Sequence, residues 1–215
     1  MAVTHAVAAP PPRARRFGRR LPRSFFERPT LTVARELLGK ALVYDPVGSP
    51  RAKGARAVDS SAGRRAARIV EVEAYIGREP ASHARFGPTR RNFPMFGPGG
   101  FTYVYFIYGM HHCLNVSSER EGRGAAILVR GAEPLEGFAP GTRLDGPGLV
   151  CRAFRCTTAH SNLDLTRSTL SVRDAPLVPR GEVGRSRRIG VRDEKPWRFY
   201  VRASPGVSGP PSLRG

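Results

Sequence analysis

The chain is poor in lysine, acid, cysteine and long apolar runs, and each scarcity removes a class of function. Only three of its 215 residues are lysine, Lys40, Lys53 and Lys195, so no amine for Schiff-base chemistry lies in its motif-rich middle. Three cysteines, Cys113, Cys151 and Cys156, are an odd number without a CxxC pair. They suit neither a disulfide scaffold nor a zinc site and fit a reducing, intracellular setting. No apolar run approaches the roughly 20 residues that cross a bilayer. The first twenty residues place their arginines after a weak apolar part, the reverse of a secretory signal, and read as a disordered basic tail over 1–23.

Acid is scarce as well: 17 Asp plus Glu stand against 36 Lys plus Arg, a net charge of +19. Residues 1–24 hold six arginines and no acid, so the rest carries 30 basic against 17 acidic residues, still +13. A folded part this basic points to a polyanion, nucleic acid first. An anionic membrane surface or plain solubility would use the same charge, and coding bias would produce the arginine excess.

The length suits one domain, expected over 24–205, with a Pro/Gly/Ser end over 206–215 that frays. Ser24 to Glu27 matches a capping box for a short helical turn, and Leu31, Ala34, Leu37 and Leu38 keep helical spacing until Gly39. Lys40–Tyr44 reads as a strand, followed by a polar loop to about Ala66. In Arg68–Ile76 the period is two: Val70, Val72, Ala74 and Ile76 face one way, and Glu71, Glu73 and Tyr75 the other. Two acids and a tyrosine on one face line either a solvated exterior or a cleft whose low polarity tunes the acid.

The Gly- and Pro-rich segment Phe86–Gly100 predicts a long ordered loop with Phe86, Phe93, Met95 and Phe96 tucked inward. Its Arg90 and Arg91 are candidate phosphate contacts. Phe101–Ile107 and His111–Val116 read as a hairpin with Tyr103, Tyr105 and Ile107 on one face and Tyr108 at the tip, placed to wedge between base steps. Ala125–Arg130 is a further strand, ended by Gly131–Gly137; a helix follows near Leu149–Phe154, with strands at Ser186–Val191 and Trp197–Val201. The fold class is α/β of the α+β type. No metal or cofactor is expected, since the adjacent His111 and His112 would point to opposite sides of a strand.

The candidate site residues are Glu73, Tyr75, His83, Tyr105, Tyr108, Asn115 and Arg130. One carboxylate can deprotonate a water, an arginine can keep that carboxylate ionised, and aromatic faces can hold a flat, electron-poor ring.

Together RIVEVEAYIG, a histidine ten residues after Glu73, the run MFGPGG through TYVYFIYGM to CLNVSS, and ILVRGAEPLEG resemble the alkyladenine (3-methyladenine) DNA glycosylase family. The resemblance covers most of residues 24–205. It implies a curved, mostly antiparallel β-sheet flanked by short helices, in one compact domain with a protruding β-hairpin. It also implies a monofunctional enzyme that flips alkylated or deaminated purines out of duplex DNA and hydrolyses the N-glycosidic bond. By resemblance Glu73 is the general base and Arg130 its assistant. Tyr75 and His83 stack on one side of the base and Tyr105 on the other, Asn115 and Leu128 complete the pocket, and Tyr108 intercalates. The chain departs from the family at Leu149, where many members carry a basic residue, and over a shortened 137–145. The implied partner is damaged double-stranded DNA, met by a monomer in the cytoplasm, at the nucleoid if the source is bacterial. A non-catalytic reader of bent DNA and a small-molecule or RNA-binding domain on the same sheet are the alternatives.

Overall fold

The computed structural model describes residues 17–46, 63–210 and 212. The expected basic tail, save for its last residues, and most of the expected polar loop lie outside them. Eight strands form one antiparallel sheet: β1 (Ala41–Tyr44), β2 (Arg65–Ile76), β3 (Thr102–Ile107), β4 (His111–Ser118), β5 (Ala125–Glu136), β6 (Leu170–Arg173), β7 (Val183–Ser186) and β8 (Arg198–Val201). The order is β3-β4-β5-β2-β1-β6, and β8 joins β2 to β7. Among the described residues three short α-helices accompany it, α1 (Arg23–Phe26), α2 (Thr30–Leu37) and α3 (Pro147–Phe154). The sheet curls, and the whole is a single α+β domain, as expected.

Strand β2 is the organiser. Its first residues pair with β1 (Ala41 opposite Arg68), its middle with β8 (Glu73 opposite Arg198), and its other edge with β5 along nearly its whole length. Val70, Val72 and Ala74 of β2, Leu114 and Val116 of β4 and Ile127 and Val129 of β5 share one core with Val33 and Leu37 of α2 and Val150 and Phe154 of α3. The helices therefore cover one face of the sheet. Apolar burial at about 25 cal/mol per Å2 drives this packing, and period two leaves the alternate residues to the opposite face.

Several local expectations change. α1 begins at Arg23 behind Pro22, and no side chain caps it, so Ser24 lies inside the turn. β5 runs through Gly131 to Glu136, because shifts in its register with β2 around Glu71 absorb the irregularity instead of ending the strand. Ser186–Val191 is a strand only at its first residue; Ile189 and Gly190 instead form a turn, and with Val191 they line the cavity described below. β6 was unforeseen. Phe86 and Phe93 are not tucked in: they are 87% and 58% exposed, whereas Met95 is buried. Val207 and Ser208, in the segment expected to fray, are buried as well.

Candidate active site

Cross-strand pairing sets the site. Tyr103, Asn115, Leu128, Glu73 and Arg198 stand opposite one another in turn across β3, β4, β5, β2 and β8. Directly paired residues point to the same side of a sheet. One step of two along each strand adds Tyr105 and Cys113, Tyr75, Glu71 and Arg130 to that side. The face opposite the helices thus collects most of the polar and aromatic residues that alternation singles out.

A cavity of about 420 Å3 opens there, lined among others by Tyr75, His83, Tyr105, Asn115, Leu128 and Arg130, with the tip residue Tyr108 at its edge. That volume lies in the range of small-ligand sites. The imidazole of His83 lies edge-on to Tyr105 with 4.5 Å between ring centres, and its Nδ1 is 2.8 Å from the Tyr103 hydroxyl. Partial desolvation, with the nearby Arg91 guanidinium, holds His83 below its ordinary pKa and so favours the neutral ring. A neutral ring can stack on a cation without repelling it. Asn115 spends its amide N–H groups on the Tyr103 and Cys113 carbonyls, at 3.0 and 3.4 Å, which orients its oxygen away from them.

Glu73 lies beneath this lining and is fully buried. Its Oε1 accepts the Ile189 backbone N–H at 2.7 Å, and its Oε2 accepts the Tyr75 hydroxyl at 2.9 Å and the Arg130 guanidinium at 3.3 Å. Burial raises the Glu73 pKa above that of an ordinary carboxylate, and Arg130 and the two hydrogen bonds oppose the rise. Burial also pushes up the Tyr75 and Tyr105 hydroxyls, with Glu73 adding to the rise at Tyr75, so both stay neutral donors. A carboxylate held this way can act as a general base.

Tyr108 occupies the hairpin tip at φ 55 with Gly109 at φ 67, two left-handed residues in succession, and it is 82% exposed. That is the backbone of the tight turn whose twist matches a hairpin. A tyrosine pays strain to sit there. Arg91 is tied to the hairpin through the Phe106 carbonyl at 3.2 Å and lies over the Tyr105 ring. Arg90 is exposed and makes no hydrogen bond or ion pair among the described residues. From Ser82 to Ser118 the chain contains no Asp or Glu, so loop and hairpin together present an acid-free, arginine-bearing surface.

Four contributions lie outside the candidate set. Glu71, which alternation places on the face of Glu73 without making it a site residue, is equally buried. Arg188 is fully buried; it pairs with both oxygens of Glu79, at 2.6 and 2.9 Å, and its guanidinium carbon lies 4.5 Å from the centre of the Tyr75 ring. Arg198 donates to Glu71 at 2.6 Å, and Ser208 from the C-terminal segment reaches the same carboxylate. Only tertiary folding brings residues 188, 198 and 208 to β2. Among the described residues no cluster of His, Cys, Asp and Glu could hold a metal, and no helix is long and apolar enough to cross a membrane. All three cysteines are buried and unpaired.

Comparison with known proteins covers the region that carries all of these residues except Ser208. Residues 24–205 match the family model described as Methylpurine-DNA glycosylase (MPG). A protein of Myxococcus xanthus (strain DK1622) named "Putative 3-methyladenine DNA glycosylase" is 48% identical over 201 residues, 90% of this chain and 96% of that one. Proteins of the same name from Anaeromyxobacter sp. (strain Fw109-5) and Methanocella arvoryzae are 46% and 44% identical, over 89% and 87% of this chain and 94% and 95% of theirs. With the family model spanning nearly all of the described domain, this chain belongs to the methylpurine-DNA glycosylase family.

Proposed function

We propose that this protein flips alkylated or deaminated purines out of duplex DNA into the cavity beside Tyr108 and hydrolyses their N-glycosidic bond with a water activated by Glu73. The observation that carries the reading is a fully buried carboxylate, with a raised pKa and an arginine partner, directly beneath an aromatic cavity. The Arg130–Glu73 contact of 3.3 Å is long for a charge-assisted bond, ordinarily about 2.7–2.9 Å, and Tyr75, which lines the cavity, donates to the same Glu73 oxygen at 2.9 Å.

In this reaction the water oxygen bonds to C1′ of the sugar while the C1′–N bond breaks. The purine leaves with the bonding pair, which cancels the positive charge of an alkylated ring and makes a deaminated one an anion that then takes a proton from solvent, and the water proton passes to Glu73. Neutral His83 and the Tyr75 and Tyr105 rings hold the base; stacking of about 1–3 kcal/mol per base offsets the few kcal/mol of unpairing. Asn115 and Leu128 shape the pocket, and Tyr108 fills the gap in the duplex. Arg90 and Arg91 meet phosphate on the acid-free surface, where the exposed Phe86 and Phe93 also stand. All of these groups come from one chain, which suits a monomer.

The test is a panel of duplexes, each carrying one 3-methyladenine, 7-methylguanine, hypoxanthine or etheno-adenine, with free base measured in a single turnover. Release from at least one alkylated duplex, and none from single normal purines, is expected. Tight lesion binding without release from any duplex would instead make the protein a non-catalytic reader of damage.

A further inference from the structure

Arg130 does not belong to Glu73 alone. Its Nε lies 3.3 Å from Glu71 Oε1 and 3.3 Å from the Ser208 hydroxyl, its Nη2 also 3.3 Å from that hydroxyl, and its Nη1 3.3 Å from Glu73 Oε2. Glu71 has further partners of its own: Oε1 accepts Arg198 Nε at 2.6 Å and the Ser208 hydroxyl at 3.0 Å, and Oε2 accepts the Ser208 backbone N–H at 2.6 Å. Arg198 also donates to the Ser186 hydroxyl and the Ser208 carbonyl. Two carboxylates and two guanidiniums therefore form a neutral buried quartet, and Ser208 touches three of its four members.

Two glycines make this approach possible. A Cβ on Gly131 would lie 2.2 Å from the Gly206 carbonyl oxygen, and one on Gly206 would lie 2.5 Å from the Ala132 carbonyl oxygen. The C-terminal segment thus lies on β5 at a distance that no side chain permits, beside the irregular register around Arg130 and Gly131. Val207 is buried in the main core and pins the segment there.

From this arrangement we infer that residues 206–208 act as a latch: Ser208, with Glu71 and Arg198, positions Arg130 and sets how much of its charge reaches Glu73. The inference rests on Glu73 being the base. Glu71 competes with Glu73 for one guanidinium, and its own negative charge lies close to Glu73. Both effects hold the base less acidic than Arg130 alone would. Ser208 divides the guanidinium between the two carboxylates by accepting from Nε and Nη2. All three residues are positioning residues that act on water and substrate only through Arg130 and Glu73.

The test compares Ser208→Ala, Ser208→Thr, Gly206→Val, Glu71→Gln and Glu73→Gln with the wild type, in single-turnover release of 7-methylguanine from duplex DNA across pH. Ser208→Ala loses hydrogen bonds to charged partners, so the release rate is expected to fall about tenfold, with lesion-duplex affinity within about twofold. Ser208→Thr keeps the hydroxyl and restores the rate. Gly206→Val, which touches neither carboxylate, lowers the rate at least as far by lifting the segment. In Glu71→Gln the competing charge is gone, so the acid limb of the rate profile moves to lower pH. A residue that only stabilises the fold would lower the melting temperature and leave rate, pH limb and rescue untouched; that result in folded Ser208→Ala and Gly206→Val overturns the latch. If Glu71→Gln does not fold, the serine and glycine variants decide alone. Inactive Glu73→Gln beside fully active latch variants would leave the base standing and sink only the latch, whereas an active Glu73→Gln overturns both.

Discussion

Replacing Glu73 by glutamine probes the chemistry with little steric change. The amide oxygen can keep the Ile189 N–H, and the amide nitrogen can donate to a Tyr75 hydroxyl that turns to accept. Arg130 then loses one acceptor and retains Glu71 and Ser208. Losing that bond costs about 1–3 kcal/mol, partly offset because a carboxylate no longer has to be buried, so the variant folds. Its rate has no such compensation. A positioned general base contributes ~10²–10⁴-fold, and at 1.36 kcal/mol per decade that is about 2.7–5.4 kcal/mol of barrier. Single-turnover release from methylated duplex DNA measures the rate, and fluorescence anisotropy on a lesion duplex measures binding, which should change little. Release within about threefold of wild type, from a variant shown to be folded by its melting curve, would refute the assignment of Glu73 as base.

Wild-type release should weaken on the acid side through a pKa above the ordinary carboxylate range, since burial raises Glu73 and only its ionised form accepts a proton; a single-turnover pH profile flat down to pH 4 contradicts this. Tyr108→Gly should leave the melting temperature unchanged or raise it, because glycine relieves the strain at φ 55 and an 82% exposed ring packs little; base release from duplex should nevertheless drop about tenfold or more if the ring offsets unstacking of a few kcal/mol. Arg188→Met removes a fully buried partner of Glu79, and breaking such a pair costs roughly 3–5 kcal/mol, read as a fall in unfolding free energy in urea; a loss under 1 kcal/mol would mean that Lys195 suffices for Glu79.

Alternation alone determined the essential division of β2. Val70, Val72 and Ala74 went to the core, and Glu71, Glu73 and Tyr75 to the other face, because strand side chains alternate whatever the rest of the chain does. The hairpin, its Tyr108 tip and the helical stripe before Gly39 were legible for the same local reason; Gly39 takes a φ of 84 that other residues avoid. Irregular segments were misjudged. The inward packing assumed for Phe86 and Phe93 followed from their apolarity, yet a loop has no period to say which ring faces solvent. Tertiary structure alone decided that the acidic face of β2 is buried and not solvated, since β5 and β8 flank it and the 206–208 segment closes over Glu71. It also brought Arg188, Arg198 and Ser208 from more than a hundred residues away onto one strand. Local sequence can specify which way a side chain points; which charge it meets there depends on chain segments that only the completed sheet brings together.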